Sequence, residues 1–186
     1  MQFISQARKN VKLSFENKAI FFDRDGVINK LVNRDNGLFS PRKLKEFPFF
    51  PDIKKCINIC FKKKILVIII SNQPDISRKK MNIKDLEEIN KYMKSELPIN
   101  DIYYAFDDIY TKDGLKKPSP NMVFNAQKKW KINLEKSLFI GDSQADLDCA
   151  KNAGVDFVLI RRDHNKNLRS RQMITDLTEI TKFLND

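Results

Sequence analysis

The chain has 186 residues, 41% of them hydrophobic and 32% charged, which suits one compact domain with its own core and excludes a disordered or fibrous chain. A formal charge of +11 is compatible with a solvated lysine-rich surface, with an enzyme that draws in phosphorylated substrates, or with a nucleic-acid binder, although no clean basic helix or aromatic-interleaved patch appears. Cys56, Cys60 and Cys149 are too few for a disulfide framework and lack the paired spacing of a zinc site, so reduced thiols are expected, with Cys56 and Cys60 in the core on one helix face.

Met1–Lys18 is set apart as an N-terminal extension, with an extra strand, a dimer contact and a disordered lead all left open, and residues 19–186 are read as the domain proper. The opening MQFISQARKNVKLSF has no continuous apolar stretch of the export-signal kind, which favours the cytoplasm. Ala19–Phe22 is an apolar run ending at Asp23, and Ile65–Ile70 a second one ending at Ser71 and Asn72, far too short to cross a bilayer. Such β-branched, uninterrupted runs predict strands buried on both faces of a parallel sheet. Ser137–Ile140 ending at Gly141 and Asp142, and Phe157–Ile160 ending at Arg161, repeat the pattern. Between them the periodicity predicts helices over about 52–63, 83–96, 120–130 and 145–153, with Ser119 as an N-cap, Pro120 in the first helical position and Gly154 as a stop. The segment from Asn33 to Phe50 is rich in turn formers and reads as a long loop. Strand and helix alternate, so the expected architecture is an α/β, three-layer Rossmann-like sandwich around a mainly parallel sheet. Ligands gather at the carboxyl edge of such a sheet, where Asp23, Ser71 and Asp142 fall.

In DRDGV, at 23–27, two carboxylates stand two apart just past a strand, so in extended geometry both face one substrate. A carboxylate attacks a phosphoryl group only when the negative charge there is neutralised, which calls for a metal ion and cationic donors. Asp142 would complete an oxygen-rich magnesium site with Asp146 one turn into the next helix, while Ser71, Asn72 and Lys117 would donate to phosphate oxygens. Each piece alone is weak, a DxD being often a loop cap and a Lys-Pro pair often surface; the ordered set says more.

That set, DRDGVIN at 23–29, SNQPDISR at 71–78, IYYAFDD at 102–108, KKPSPNM at 116–122 and FIGDSQAD at 139–146, resembles the haloacid-dehalogenase superfamily over about Ala19 to Asp163. It resembles most the subfamily IIIA branch that contains heptose bisphosphate phosphatases and the histidinol-phosphate phosphatase domain. The resemblance implies Asp23 as a nucleophile that becomes an aspartyl-phosphate, and Asp25 as general acid and then base, a role that asks for a raised pKa. It implies Ser71 and Lys117 as phosphate holders, magnesium on Asp23, Asp142 and the Asp25 backbone carbonyl, and Asp146 orienting the metal shell from behind. Arg78 falls where the branch has an arginine, and Lys116, where it usually has one, is a candidate contact for a second phosphate. Arg161 and Arg162 are kept for the same idea.

Three departures bear on the substrate. The branch often carries a zinc-bound Cys/His loop before its Lys-Pro segment, whereas this chain reads AFDDIY at 105–110, so no zinc is expected. Pro74-Asp75 replaces a small residue and glycine, and Asn121 stands where glycine is usual. Between Asp23, Ser71 and Lys117 the spacing leaves no room for a large inserted cap. The expected substrate is a phosphorylated sugar such as a heptose bisphosphate in cell-envelope precursor synthesis, taken by a monomer; histidinol phosphate and a nucleic-acid 3′-phosphate end are the alternatives, and a silent binding module fits poorly. His164 is read as solvent-exposed and Trp130 as a helix-end anchor.

Overall fold

The computed structural model describes residues 15–34 and 37–184, so most of the N-terminal extension lies outside the described residues. In chain order the elements are strand β1 (Ala19–Phe22), a hairpin of β2 (Val32–Arg34) and β3 (Gly37–Phe39), helix α1 (Ile53–Lys62), β4 (Leu66–Asn72), α2 (Ile83–Glu96), β5 (Asp101–Ala105), α3 (Asn121–Trp130), β6 (Leu138–Gly141), α4 (Gln144–Ala153), β7 (Asp156–Ile160) and β8 (Met173–Ile174). Six strands form one sheet in the order β5-β4-β1-β6-β7-β8, and every pairing in it is parallel.

Because successive strand side chains point to opposite faces, β1 serves two cores at once. Ile20 and Phe22, with Ile69 and Ile140 beside them, pack against Cys56, Ile57 and Cys60 of α1 and Leu86, Ile89 and Met93 of α2. Phe21, Ile68, Ile70 and Phe139 pack on the other face against Met122, Val123 and Ala126 of α3 and Cys149, Ala150 and Ala153 of α4. Helices on both faces leave the sheet buried, which is why its inner strands carry unbroken apolar runs. All three cysteines are free and buried. No helix among the described residues is long and apolar enough to cross a membrane.

Four local features differ from the reading of the sequence. The stretch after Asn33 is not a plain loop: it holds the antiparallel hairpin β2–β3 and a short helical turn at Leu44–Glu46, tied by an Arg34–Glu46 ion pair. DIYYA at 101–105 is a strand at the sheet edge, and β8 adds a sixth. The third helix starts at Asn121, one residue later than expected, so Pro120 stands before its first turn. The cap position falls on Pro120 rather than Ser119, although the Ser119 hydroxyl, which donates to Gly114 O at 2.6 Å, also accepts from Asn121 N at 3.3 Å.

Candidate active site

Asp23 continues the line of β1 past its end, its amide donating to Ile140 O at 2.9 Å. The chain then turns back on itself, Ile28 N donating to Arg24 O at 2.8 Å. Gly26 supplies the positive φ of 91° in that turn, and a Cβ there would stand 1.9 Å from Asp142 Oδ2. Only glycine gives both the conformation and the clearance.

Asp142 follows β6, and Asp146 lies one turn into α4, where its carboxylate closes a capping box by accepting from Ser143 N at 3.1 Å and Ser143 Oγ at 2.5 Å. Its other oxygen accepts from Lys117 Nζ at 2.6 Å, and the same ammonium donates to Asp23 Oδ1 at 2.6 Å and Ile70 O at 3.0 Å. Lys117 is therefore the hub that joins the ends of β1 and β4 to the first turn of α4. Asn72 fixes its backbone, accepting from Lys117 N at 2.9 Å and donating to Lys117 O at 3.3 Å.

Burial pushes the Asp23 carboxyl well above the usual carboxylate range; Lys117 pulls it down, while Asp146, Asp142 and Asp25 push it further up. Burial also raises Asp142, against the opposing contact of His164 Nε2, 2.5 Å from Asp142 Oδ2. Burial alone would lower Lys117, but Asp146 and Asp23 outweigh it and hold the ammonium charged.

Asp25 behaves in the opposite way to the expectation of a raised pKa. Burial does push it up, but the Arg24 guanidinium and hydrogen bonds from Arg24, Asn29 and Gln73 outweigh burial and hold it below its ordinary value. Arg24 folds back on its neighbour as a fork, at 3.0 Å from Nε to Oδ1 and 2.8 Å from Nη2 to Oδ2. Asn29 adds a bond of 3.0 Å to Oδ1 and Gln73 one of 2.7 Å to Oδ2. Asp25 thus rests as a carboxylate.

Asp23, Asp25, Asn72, Arg78, Lys117 and Asp142 line one pocket of about 360 Å³ at the carboxyl edge of the sheet. Ser71 is buried just beneath, its Oγ accepting from Gln73 Nε2 at 2.9 Å. Arg78 reaches the pocket rim but is bound there to Asp108, with Nε 2.7 Å from Oδ1, and lies 3.6 Å from Asp75. Lys116 is outside this lining, its ammonium donating to the Asp108 carbonyl.

Arg24, Asn29, Gln73 and His164 carry contacts that the sequence reading did not assign. Gln73 stood inside the SNQ segment and Arg24 between the two aspartates, so their positions were visible but not their partners. The His164 side chain is not solvent-exposed as expected: its ring is turned inward onto Asp142, and the side chain is 19% exposed. Trp130 sits at the end of α3 and its Nε1 donates to Asp101 at 2.9 Å, the anchoring role expected of it.

One oxygen each of Asp23, Asp142 and Asp146 lies within 4.8 Å of the others. An all-carboxylate set fits a hard divalent cation such as magnesium, which takes one or two carboxylates and keeps several waters. Both Asp146 oxygens are already engaged by Lys117 and Ser143, so Asp23 and Asp142 are the pair that could reach the ion directly.

The sequence profile described as haloacid dehalogenase-like hydrolase matches residues 15–160. The D-glycero-beta-D-manno-heptose-1,7-bisphosphate 7-phosphatase of Helicobacter pylori strain J99 is 32% identical over 148 residues, 75% of this chain and 80% of that protein. The corresponding 7-phosphatase for the alpha anomer from Campylobacter jejuni is 28% identical over 177 residues, covering 91% and 96% of the two chains. Among solved structures, the D,D-heptose 1,7-bisphosphate phosphatase of B. bronchiseptica, complexed with magnesium and phosphate, superposes with a TM-score of 0.77 at 21% identity over 90% of this chain and 97% of that one, which shows a shared fold.

Proposed function

The chain belongs to the haloacid dehalogenase-like hydrolases, and from that premise we propose that it is a magnesium-dependent phosphatase whose nucleophile is Asp23 and whose substrate is a phosphorylated sugar of the heptose bisphosphate kind. The observation that carries this reading is the Asp23 carboxylate held at the sheet edge by Lys117 at 2.6 Å, with Asp142 within ligand distance of the same point.

When bound, magnesium neutralises charge on the phosphoryl oxygens and on Asp23 and Asp142. Asp23 Oδ attacks phosphorus, the ester P–O bond breaks, and an aspartyl-phosphate forms on Asp23. The leaving oxygen takes a proton from Asp25. Water then attacks the aspartyl-phosphate, gives its proton to Asp25 and releases phosphate, restoring Asp23. Lys117 stays charged throughout and offsets the anion beside it, while Ser71 and Asn72 stand at the phosphate end of the pocket. The ionised resting state of Asp25 suits the second, base-catalysed step. The first step needs its protonated form, which the Arg24 fork opposes, so the proton must be taken up as the phosphate anion arrives. General acid–base help of this kind is worth roughly 10²–10⁴-fold.

The sugar assignment draws on the relatives, two of which are named as heptose bisphosphate phosphatases and match most of this chain. Phosphate release with magnesium, measured over heptose 1,7-bisphosphate, other sugar phosphates, histidinol phosphate and a 3′-phosphorylated oligonucleotide, tests it. The heptose bisphosphate should lead. Turnover confined to the oligonucleotide would leave the chemistry standing and overturn the sugar assignment.

A further inference from the structure

The turn that follows β7 is fastened to Asp142 by two side chains in succession. Asn165 is buried; its Nδ2 donates to Asp142 O and to Ile160 O, each at 2.9 Å, and its Oδ1 accepts from Arg162 N at 2.9 Å. Arg162 is itself fixed, with its guanidinium 3.8 Å from the centre of the Phe50 ring and 3.3 Å from Asp52. With both ends of the turn held, the ring of His164 is aimed: its Nε2 stands 2.5 Å from Asp142 Oδ2. Asn165 thus holds the backbone of Asp142 and His164 its carboxylate. Gly26 leaves the room for both, since a Cβ there would stand 1.9 Å from Asp142 Oδ2 and 3.2 Å from His164 Cε1.

An imidazole N–H donates from the neutral ring and from the charged one alike, so this contact does not depend on titration. Its consequence is for the way Asp142 meets a cation. Oδ2 is engaged, which leaves Oδ1 to face the ion. Asp23 is in the same condition, because Lys117 holds its Oδ1 at 2.6 Å. Each of the two direct ligands therefore presents one oxygen. Magnesium demands a near-ideal octahedron, and the two oxygens of one carboxylate lie too close together to fill two of its corners; calcium takes about six to eight oxygens in a looser shell and accepts a carboxylate through both.

We propose that His164 is a positioning residue that selects the metal ion: by occupying Asp142 Oδ2 it keeps this carboxylate in a single-oxygen presentation, which suits magnesium and denies calcium a two-oxygen grip. The inference rests on the reading of Asp23 and Asp142 as magnesium ligands and adds what sets their choice of ion.

The test measures ion binding without substrate, as the concentration of magnesium chloride or calcium chloride that gives half the rise in Tm of the metal-free protein. The parent is compared with His164→Leu and His164→Ala, which remove the donor, with His164→Gln, which keeps an N–H donor, and with Lys166→Ala, which alters the same turn away from Asp142. Losing a partner that orients a metal ligand costs about ten- to a hundredfold in affinity, so magnesium should bind that much more weakly to the Leu and Ala variants. Calcium affinity should hold or rise, lowering the preference for magnesium at least about tenfold. His164→Gln should recover most of the preference, and Lys166→Ala should match the parent. Parent-like magnesium binding in the Leu and Ala variants, an equal loss for both ions, or the same loss in Lys166→Ala overturns the proposal. A parent that binds neither ion defeats the metal-dependent reading and this inference with it, whereas a parent that binds magnesium but hydrolyses no sugar phosphate defeats only the substrate assignment and leaves the selection readable from the melts.

Discussion

Replacing Lys117 with Met keeps most of the apolar stem and deletes the charge that joins Asp23, Asp146 and Ile70 O. Lys117 is 4% exposed, so water cannot take over from the ammonium. Breaking a buried ion pair from one side costs roughly 3–5 kcal/mol, because the remaining charge is left unpaired. The lower part of that range is expected here, since Asp23 can relieve the stress by taking up a proton. Even so, about 3 kcal/mol is a large share of the 5–15 kcal/mol that holds a typical domain. The sign with pH follows from the direction of the shift. Without Lys117 the Asp23 carboxyl moves still higher, and a group whose folded pKa is raised contributes stability that is present at low pH and lost as pH rises through the folded value. Urea unfolding should therefore show a penalty of about 3 kcal/mol near neutrality and a clearly smaller one near pH 5. A penalty below about 1 kcal/mol, or one equal at both pH values, would refute the reasoning.

Gln73→Leu removes the bonds to Asp25 Oδ2 and Ser71 Oγ, so the Asp25 pKa should rise; the pH–kcat profile should show its basic limb moved to higher pH, with kcat down about tenfold. Gly26→Ala forces a side chain into a positive φ and against Asp142, and thermal unfolding should show a loss of at least about 1–3 kcal/mol. Asp142→Asn removes one of the like charges crowding Asp23, so the metal-free protein should melt higher than the parent, while the rise in Tm that magnesium gives the parent should disappear.

The catalytic edge was legible because Asp23, Ser71 and Asp142 each follow an unbroken apolar run, and a parallel sheet puts all strand ends of one sense on one side. The edge strand β5 was not, because DIYYA is only half-buried and mixes an acid with two tyrosines, which gives neither a clean alternation nor an apolar run. The residue pattern points to a raised Asp25 pKa, and the structure reverses the sign because the decisive neighbour, Arg24, is fully buried, an outcome that residue type argues against and only tertiary structure reveals. Arg78 was placed by its position after SNQ, yet its charge is taken by Asp108, thirty residues on, and approached by Asp75, one of the positions where the chain departs from its branch. The sequence around His164 reads as a surface segment, and it is the turn at Asp163–Asn165 that brings its ring over Asp142.

The central claim is that Asp23 carries the phosphoryl group between the two half-reactions. Rapid acid quench of the magnesium-loaded protein during turnover, followed by peptide mass spectrometry, reads this directly. One phosphoryl increment on the peptide containing Asp23, absent from Asp23→Asn, is the result the account predicts; turnover with no increment, or with the increment on a different residue, would contradict it.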